Sequence, residues 1–263
     1  MPIPRISKIL TKAAPTIKAV VPIAAIIGMY NEDFIALASE AQANEFMSYI
    51  LVMPFLLAYI IYRKRSMLRA TIALTSEGKR IRTAELMGIL LCLLGFLLFW
   101  HGSYTFTPLE YHMISLPMFT AGIVLALFNA ATLRTLAFPI GFLFFLVPLP
   151  LEIVDLAGSS LSLLSSEAAY AVLKSMGLPV TLAIEYGTPI VALAQESGSS
   201  LSFAVDLACS GIYSLTGFAI FSTFVSYIST GRLWKRALVL LAGFPLMYSM
   251  NITRIVMIVL VGH

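Results

Sequence analysis

Two residues in this sequence carry the chemistry worth following, a cysteine and an arginine. Cys209 stands in the stretch Asp206-Leu-Ala-Cys-Ser-Gly-Ile212, directly before a long apolar run, Ile212–Ile228. Ser210 and Gly211 keep the approach to the thiol small and polar. A helix starting near Ser210 puts the thiol at its N-terminus, where unpaired N–H groups and the helix dipole lower a thiol's pKa. A thiolate placed so is a nucleophile toward acyl groups. Packing is the plainer alternative, because free cysteines are among the most buried residues. It is the reading for Cys92, which lies inside an apolar run. Arg254 lies in the last apolar run, three residues after Asn251 and on the same helical face. An arginine within a membrane segment is costly to insert and points to function; snorkelling to the headgroups is the structural alternative. Near a thiol, a guanidinium favours the thiolate and offers fixed donors to a tetrahedral oxyanion.

The elements that must position these groups are membrane helices. Of the 263 residues 59% are hydrophobic and only 11% charged, with a mean hydropathy of +0.93. A soluble domain carries roughly 25% charged residues, so the chain is polytopic. Two cysteines cannot build a disulfide framework. No metal-ligand spacing, glycine-rich phosphate loop or HExxH pattern is present, so the sequence implies no metal and no cofactor. The net charge of +4 fits basic loops facing the cytoplasm better than a nucleic-acid partner.

Seven apolar runs are expected to span: Ala19–Tyr30, Phe46–Tyr62, Ala84–Trp100, Met113–Leu133, Leu136–Leu149, Ile212–Ile228 and Ala237–Val261. With the N-terminus inside, fifteen of the seventeen Lys and Arg residues fall in cytoplasmic segments, as the positive-inside rule requires. The fold class is therefore all-α polytopic. N-terminal transmembrane helices occupy 1–134, and a catalytic core occupies 135–263 with an extracytoplasmic segment at 150–206. Within that segment Leu151–Met176 reads as an interfacial or bundle-packed helix, with Val154, Leu161, Ala168 and Val172 near one face and Ser and Glu opposite. Gly177-Leu-Pro179 stops it, and Val180–Ile184, Ile190–Ala194 and Leu201–Val205 read as short strands around a Ser197–Ser200 turn. Arg254 follows Arg236 by 18 residues, about 27 Å along a helix. Cys209 and Arg254 therefore arrive at one depth on antiparallel neighbours, at the outer face.

Taken together, Ala208-Cys-Ser-Gly-Ile212 and Asn251-Ile-Thr-Arg254 resemble the archaeosortase/exosortase family of multi-pass membrane cysteine enzymes. Leu133-Arg-Thr-Leu-Ala-Phe-Pro-Ile140 and Gly177-Leu-Pro-Val180 agree, so the likeness covers roughly residues 130–258. The resemblance implies a cysteine protease or transpeptidase acting on surface proteins that carry a C-terminal tripartite sorting signal: a short motif, a transmembrane helix and a basic tail. It makes Cys209 the nucleophile that forms an acyl-thioester and Arg254 the proton donor or oxyanion stabiliser. Asn251, Ser210 and Gly211 are expected to contact substrate, and a membrane lipid is expected as acceptor. The family's third catalytic member is expected beyond His263, with His263 as the stand-in and His101 and His112 also on the outer side. A transporter with Arg254 and Asn251 lining a pathway is the alternative from another class, although no polarity marks the midplane where carrier sites lie. A membrane acyltransferase using the same thiol is another. A hydroxylamine-sensitive covalent intermediate separates the cysteine catalysts from the transporter.

Overall fold

The computed structural model describes residues 20–73, 81–194, 200–229 and 231–261. The chain divides into two compact units, Met1–Pro148 and Leu149–His263.

In the first unit, α1 (Val20–Met29) and α2 (Asn31–Ala43) meet at a 63° bend. Tyr30, fully buried at that bend, hydrogen bonds through its hydroxyl to Ser115 Oγ at 2.7 Å. The acid-bearing stretch after the first run is thus a helix, with Asp33 turned inward rather than solvated in a loop. A 3-10 turn (Glu45–Leu51) leads into α3 (Met53–Arg63), followed by α4 (Arg65–Ala73), α5 (Ile81–Gly102), α6 (Pro108–Leu127) and α7 (Ala130–Phe142). The expected run Met113–Leu133 breaks at Phe128, because the Asn129 side chain accepts the Thr132 N–H at 2.7 Å and starts a new helix.

Helices α5 and α6 cross on small residues, as membrane helices do where backbones must approach. A Cβ on Gly88 would lie 2.5 Å from the Ala126 backbone nitrogen, and one on Gly122 would lie 2.7 Å from Cys92 Sγ. Cys92 is thus a packing residue at the crossing. The opposite side of α5 presents Leu86, Leu90, Leu93 and Leu97 outward, which suits a hydrocarbon surrounding rather than water.

Four helices among the described residues are long and apolar enough to cross a membrane: Glu45–Arg63, Thr83–Gly102, Pro108–Leu127 and Trp234–Val261. Counting each of two bent helix pairs as one span raises this to six. The protein is an all-α polytopic membrane protein, with four to six candidate spans among the described residues where seven runs were expected. The main difference is α9 (Ile212–Ile228), which at 17 residues falls short of a full crossing.

The second unit holds α8 (Leu151–Ser175), a three-stranded antiparallel sheet and two further helices, α9 and α10 (Leu233–Val261). Helix α8 ends where Gly177 adopts φ +84°; the Gly177 N–H bonds to the Lys174 carbonyl and the Leu178 N–H to that of Leu173. Only glycine takes that turn without a steric cost, and the two bonds satisfy the helix's last carbonyls. The strands β1 (Val180–Glu185), β2 (Thr188–Ala194) and β3 (Ser200–Ala204) lie in chain order. Their register pairs Val180 with Leu193 and Val191 with Phe203. Ala169 and Leu173 of α8, Val191 and Leu193 of β2, and Ile255, Val256 and Val259 of α10 form one buried cluster.

The face that α8 buries is not the expected one. Val154 is inside, but Val172 is exposed and Leu161 only half-buried, while Gly158, Ser162, Ser165, Ser166 and Ala169 are buried. The small and hydroxyl-bearing face is the one that packs inward, since it admits close approach and its serines find hydrogen-bond partners there. A Cβ at Gly158 would collide with Leu207, so this face is shaped to the segment that carries Cys209.

Candidate active site

Asp206 starts the turn that presents Cys209. The Cys209 N–H bonds to the Asp206 carbonyl at 3.1 Å and to its Oδ1 at 3.2 Å, an arrangement that aspartate at the first position of a turn favours. The Ser210 hydroxyl donates to the Leu207 carbonyl at 2.7 Å and accepts the Ile212 N–H at 3.2 Å. Ser210 is fully buried. Gly211 takes φ +88° and hands the chain to α9. The left-handed turn admits glycine, and a Cβ there would also meet the Asn251 amide carbon at 2.8 Å.

Asn251 of α10 ties this turn down. Its Nδ2 donates to the Cys209 carbonyl at 3.0 Å and to Ser165 Oγ at 3.4 Å. Ser165, fully buried on α8, donates to the Ser210 carbonyl at 3.5 Å. On the same helix the Ser162 hydroxyl donates to the Val205 carbonyl. Two helices thus grip the chain from Val205 to Ser210 by its carbonyls, and the thiol between them is half-buried.

The thiol borders a cleft of about 210 Å³, lined by Ser202, Phe203, Ala204 and Val205 and by Ile255, Ile258 and Val259 of α10. Arg254 stands exposed on α10, one residue before Ile255, and its charge reaches the thiol. Asn251 and Arg254 therefore divide their tasks by burial, with one turned into the protein and the other out of it.

The thiol's electrostatics run against a helix-terminus expectation. Burial, first, and then the Asp206 carboxylate, by charge and by accepting a hydrogen bond, push the Cys209 thiol up; the Arg254 guanidinium pulls it back in part. The helix begins at Ile212, with the Gly211 turn between it and the cysteine, and its first N–H is taken by the Ser210 hydroxyl. Cys209 therefore rests as a thiol, and needs a group to receive its proton.

The structure brings together Cys209, Ser210, Gly211, Asn251 and the Arg254 charge. His263 lies outside the described residues. His112 is bonded to Asp33 and Ser103, and His101 rests edge-on against Tyr111. Asp206 and Ser165 are residues that spacing did not single out. Asp206 carried a local signal, an aspartate three residues before a cysteine in a turn; Ser165 carried none, since its partner is 86 residues away.

This is a polytopic membrane protein with a cysteine-bearing turn braced between two helices. By match to the transmembrane exosortase (Exosortase_EpsH) family model over residues 41–263, the chain belongs to the transmembrane exosortase family. No curated protein and no solved structure matches it. Family membership makes it a sortase-like membrane transpeptidase, of a cysteine-dependent class that acts on surface proteins bearing C-terminal sorting signals.

Proposed function

We propose that the protein cleaves the C-terminal tripartite sorting signal of surface proteins with Cys209 as nucleophile and passes the acyl group to an acceptor. The observation that carries this reading is the placement of the half-buried thiol at an apolar cleft, with a cation on α10 and a carboxylate in its own turn. The sulfur attacks the scissile carbonyl, forming a C–S bond and an oxyanion that Arg254 stabilises. As the C–N bond breaks, the amine leaves with the proton that the thiol gave up, and Asp206 is placed to carry it. An amine acceptor, for which a membrane lipid is our candidate, attacks the thioester and restores the thiol.

In this reading Asn251 and Ser210 hold the turn and Gly211 lets it close, whereas substrate meets the cleft. His263 is the candidate third member. The segregation of basic residues supports a cytoplasmic N-terminus and a reaction at the outer face. The test is processing of a reporter fused to a sorting signal, followed by gel mobility in cells producing wild-type, Cys209→Ala or Arg254→Ala protein. We expect cleavage in the first alone; wild-type cleavage by Cys209→Ala protein ends the proposal.

A further inference from the structure

The sheet ends in an open edge beside the thiol, and the hydrogen bonds of β2 show which groups that edge presents. The Val205 N–H bonds to the Pro189 carbonyl, and the Ala194 N–H to the Pro179 carbonyl. In an antiparallel pair, opposed residues alternate between those that exchange hydrogen bonds and those that do not. With Val205 opposite Pro189 bonded, Phe203 and Leu201 are the bonded positions facing β2, at Val191 and Leu193. Ser202 and Ala204 then aim their N–H and C=O groups the other way. Ala194 bonding toward Pro179, away from β3, fits the same alternation. Among the described residues, no strand pairs with β3 on that side.

The cleft follows this edge. Four consecutive residues, Ser202 to Val205, line it together with Cys209. Successive side chains on a strand point to opposite faces, so a cleft touched by four in a row opens along the strand's rim rather than over one face. Its far wall is Ile255, Ile258 and Val259 of α10, which is apolar and carries no charge. Unpaired backbone groups on a strand edge are a template for another strand.

The geometry points to the free edge of β3 as the docking site for the substrate's recognition segment, bound in extended form as a fourth strand, its two rungs at Ser202 and Ala204 leading to Cys209. This rests on the transpeptidase reading above. Rungs at alternate residues lie about 7 Å apart, so the edge grips some three residues of peptide through their backbone. Uncharged side chains facing Phe203, Ile255 and Ile258 complete the fit. Main-chain pairing supplies affinity and the side-chain pockets supply selectivity, as in other strand-addition complexes.

The test is residue-resolved hydrogen exchange on the full chain in lipid nanodiscs. The Cys209→Ala protein is used so that the probe, a reporter carrying recognition segment, apolar helix and basic tail, stays uncleaved. Saturating reporter should slow exchange of the Ser202 and Ala204 amides by roughly tenfold, the worth of one added hydrogen bond, and leave Leu201 and Phe203 as they were. Bound reporter with Ser202 and Ala204 unchanged overturns the proposal, and so does uniform slowing of β3. In otherwise wild-type protein, Ser202→Pro removes one outward N–H without touching the ladder to β2. It should raise KM about tenfold at unchanged kcat; an unchanged KM counts against the edge. Reporter cleavage by Cys209→Ala protein would instead overturn the catalytic reading while leaving the exchange result standing, so the two failures are told apart.

Discussion

Among the described residues, two polar clusters invite comparison, one in each compact unit, and we propose only one of them as an active site. In the N-terminal unit, Asp33 Oδ1 lies 2.7 Å from His112 Nδ1, and His112 Nε2 lies 3.1 Å from Ser103 Oγ. Those separations match a hydrolytic Ser-His-Asp row. Yet the Ser103 hydroxyl also reaches the Phe99 carbonyl at 3.2 Å, and Phe99 stacks on the imidazole at a ring distance of 3.9 Å. The N–H groups of Ser103, Tyr104 and Thr105 are all spent on the preceding turn, so none of these three is left as an oxyanion donor. Ser115, bonded to Tyr30 and to the His112 carbonyl, closes the cluster from below. In the C-terminal unit serine and asparagine side chains grip backbone carbonyls, and the thiol, held by the Asp206 carboxylate, has a cleft before it. A nucleophile needs room for its substrate, and matching distances alone do not supply it.

The largest effect that would break this contrast belongs to Cys209. Cys209→Ala should lower signal cleavage by at least about a thousandfold, the scale on which a lost nucleophile acts. Cys209→Ser should do the same, because a carboxylate that can take a proton from a thiol is too weak a base to activate a hydroxyl. Ser103→Ala, in contrast, should leave the rate unchanged. Equal losses in the two variants would erase the distinction between the clusters.

Next comes Arg254→Lys, for which we expect a loss of roughly a hundredfold in kcat, since a point charge does not reproduce a planar donor fork. Asn251→Ala should cost about tenfold, by releasing the Cys209 carbonyl.

Asp206 sharpens the comparison through pH. Its carboxylate and the burial of the site hold the Cys209 thiol above its ordinary pKa, and Arg254 opposes them. Removing a negative charge favours the thiolate, so Asp206→Asn should shift the midpoint of maleimide alkylation to lower pH. Arg254→Ala should shift it to higher pH. Asp206→Asn should also slow turnover, because the proton loses its carrier. A variant that alkylates faster and turns over faster would show that Asp206 only raises the thiol's pKa.

The smallest effect lies in the other cluster. Asp33→Asn should destabilise the N-terminal unit by about 1–3 kcal/mol, through a weakened pairing to a largely buried imidazole, with signal cleavage intact at temperatures where the protein is folded. Thermal unfolding in detergent reads the first quantity and the reporter reads the second.

What could be read in the sequence followed local physics. Val180–Ile184 and Ile190–Ala194 alternate or branch as strands do, and Gly177 before Pro179 marks a stop; strands and stop lie where those signals put them. The adjacency of the Cys209 turn and the Asn251–Arg254 stretch followed from counting residues along antiparallel helices, and the bond from Asn251 to the Cys209 carbonyl lies at that level. The inward face of α8 was misread, because a rule for helices in water buries Leu161 and Val172 and exposes serines. Ser162 and Ser165 instead find their partners inside, at the Val205 and Ser210 carbonyls. The pairing of Asp33 with His112 spans 79 residues and has no local signature. The thiol's raised pKa depended on where the helix begins, a matter of two residues around Gly211 that helix-end signals do not resolve.

The most direct measurement of the central claim is capture of the acyl-enzyme. Wild-type protein in nanodiscs is mixed with a sorting-signal reporter without an amine acceptor, quenched in acid and digested, and the Cys209 peptide is weighed by mass spectrometry. The account predicts an added mass equal to the reporter's acyl fragment on that peptide. The adduct is lost on hydroxylamine treatment and absent from Cys209→Ala protein. A reporter cleaved at full rate with no adduct on Cys209, or with an adduct carried by another residue, would contradict it.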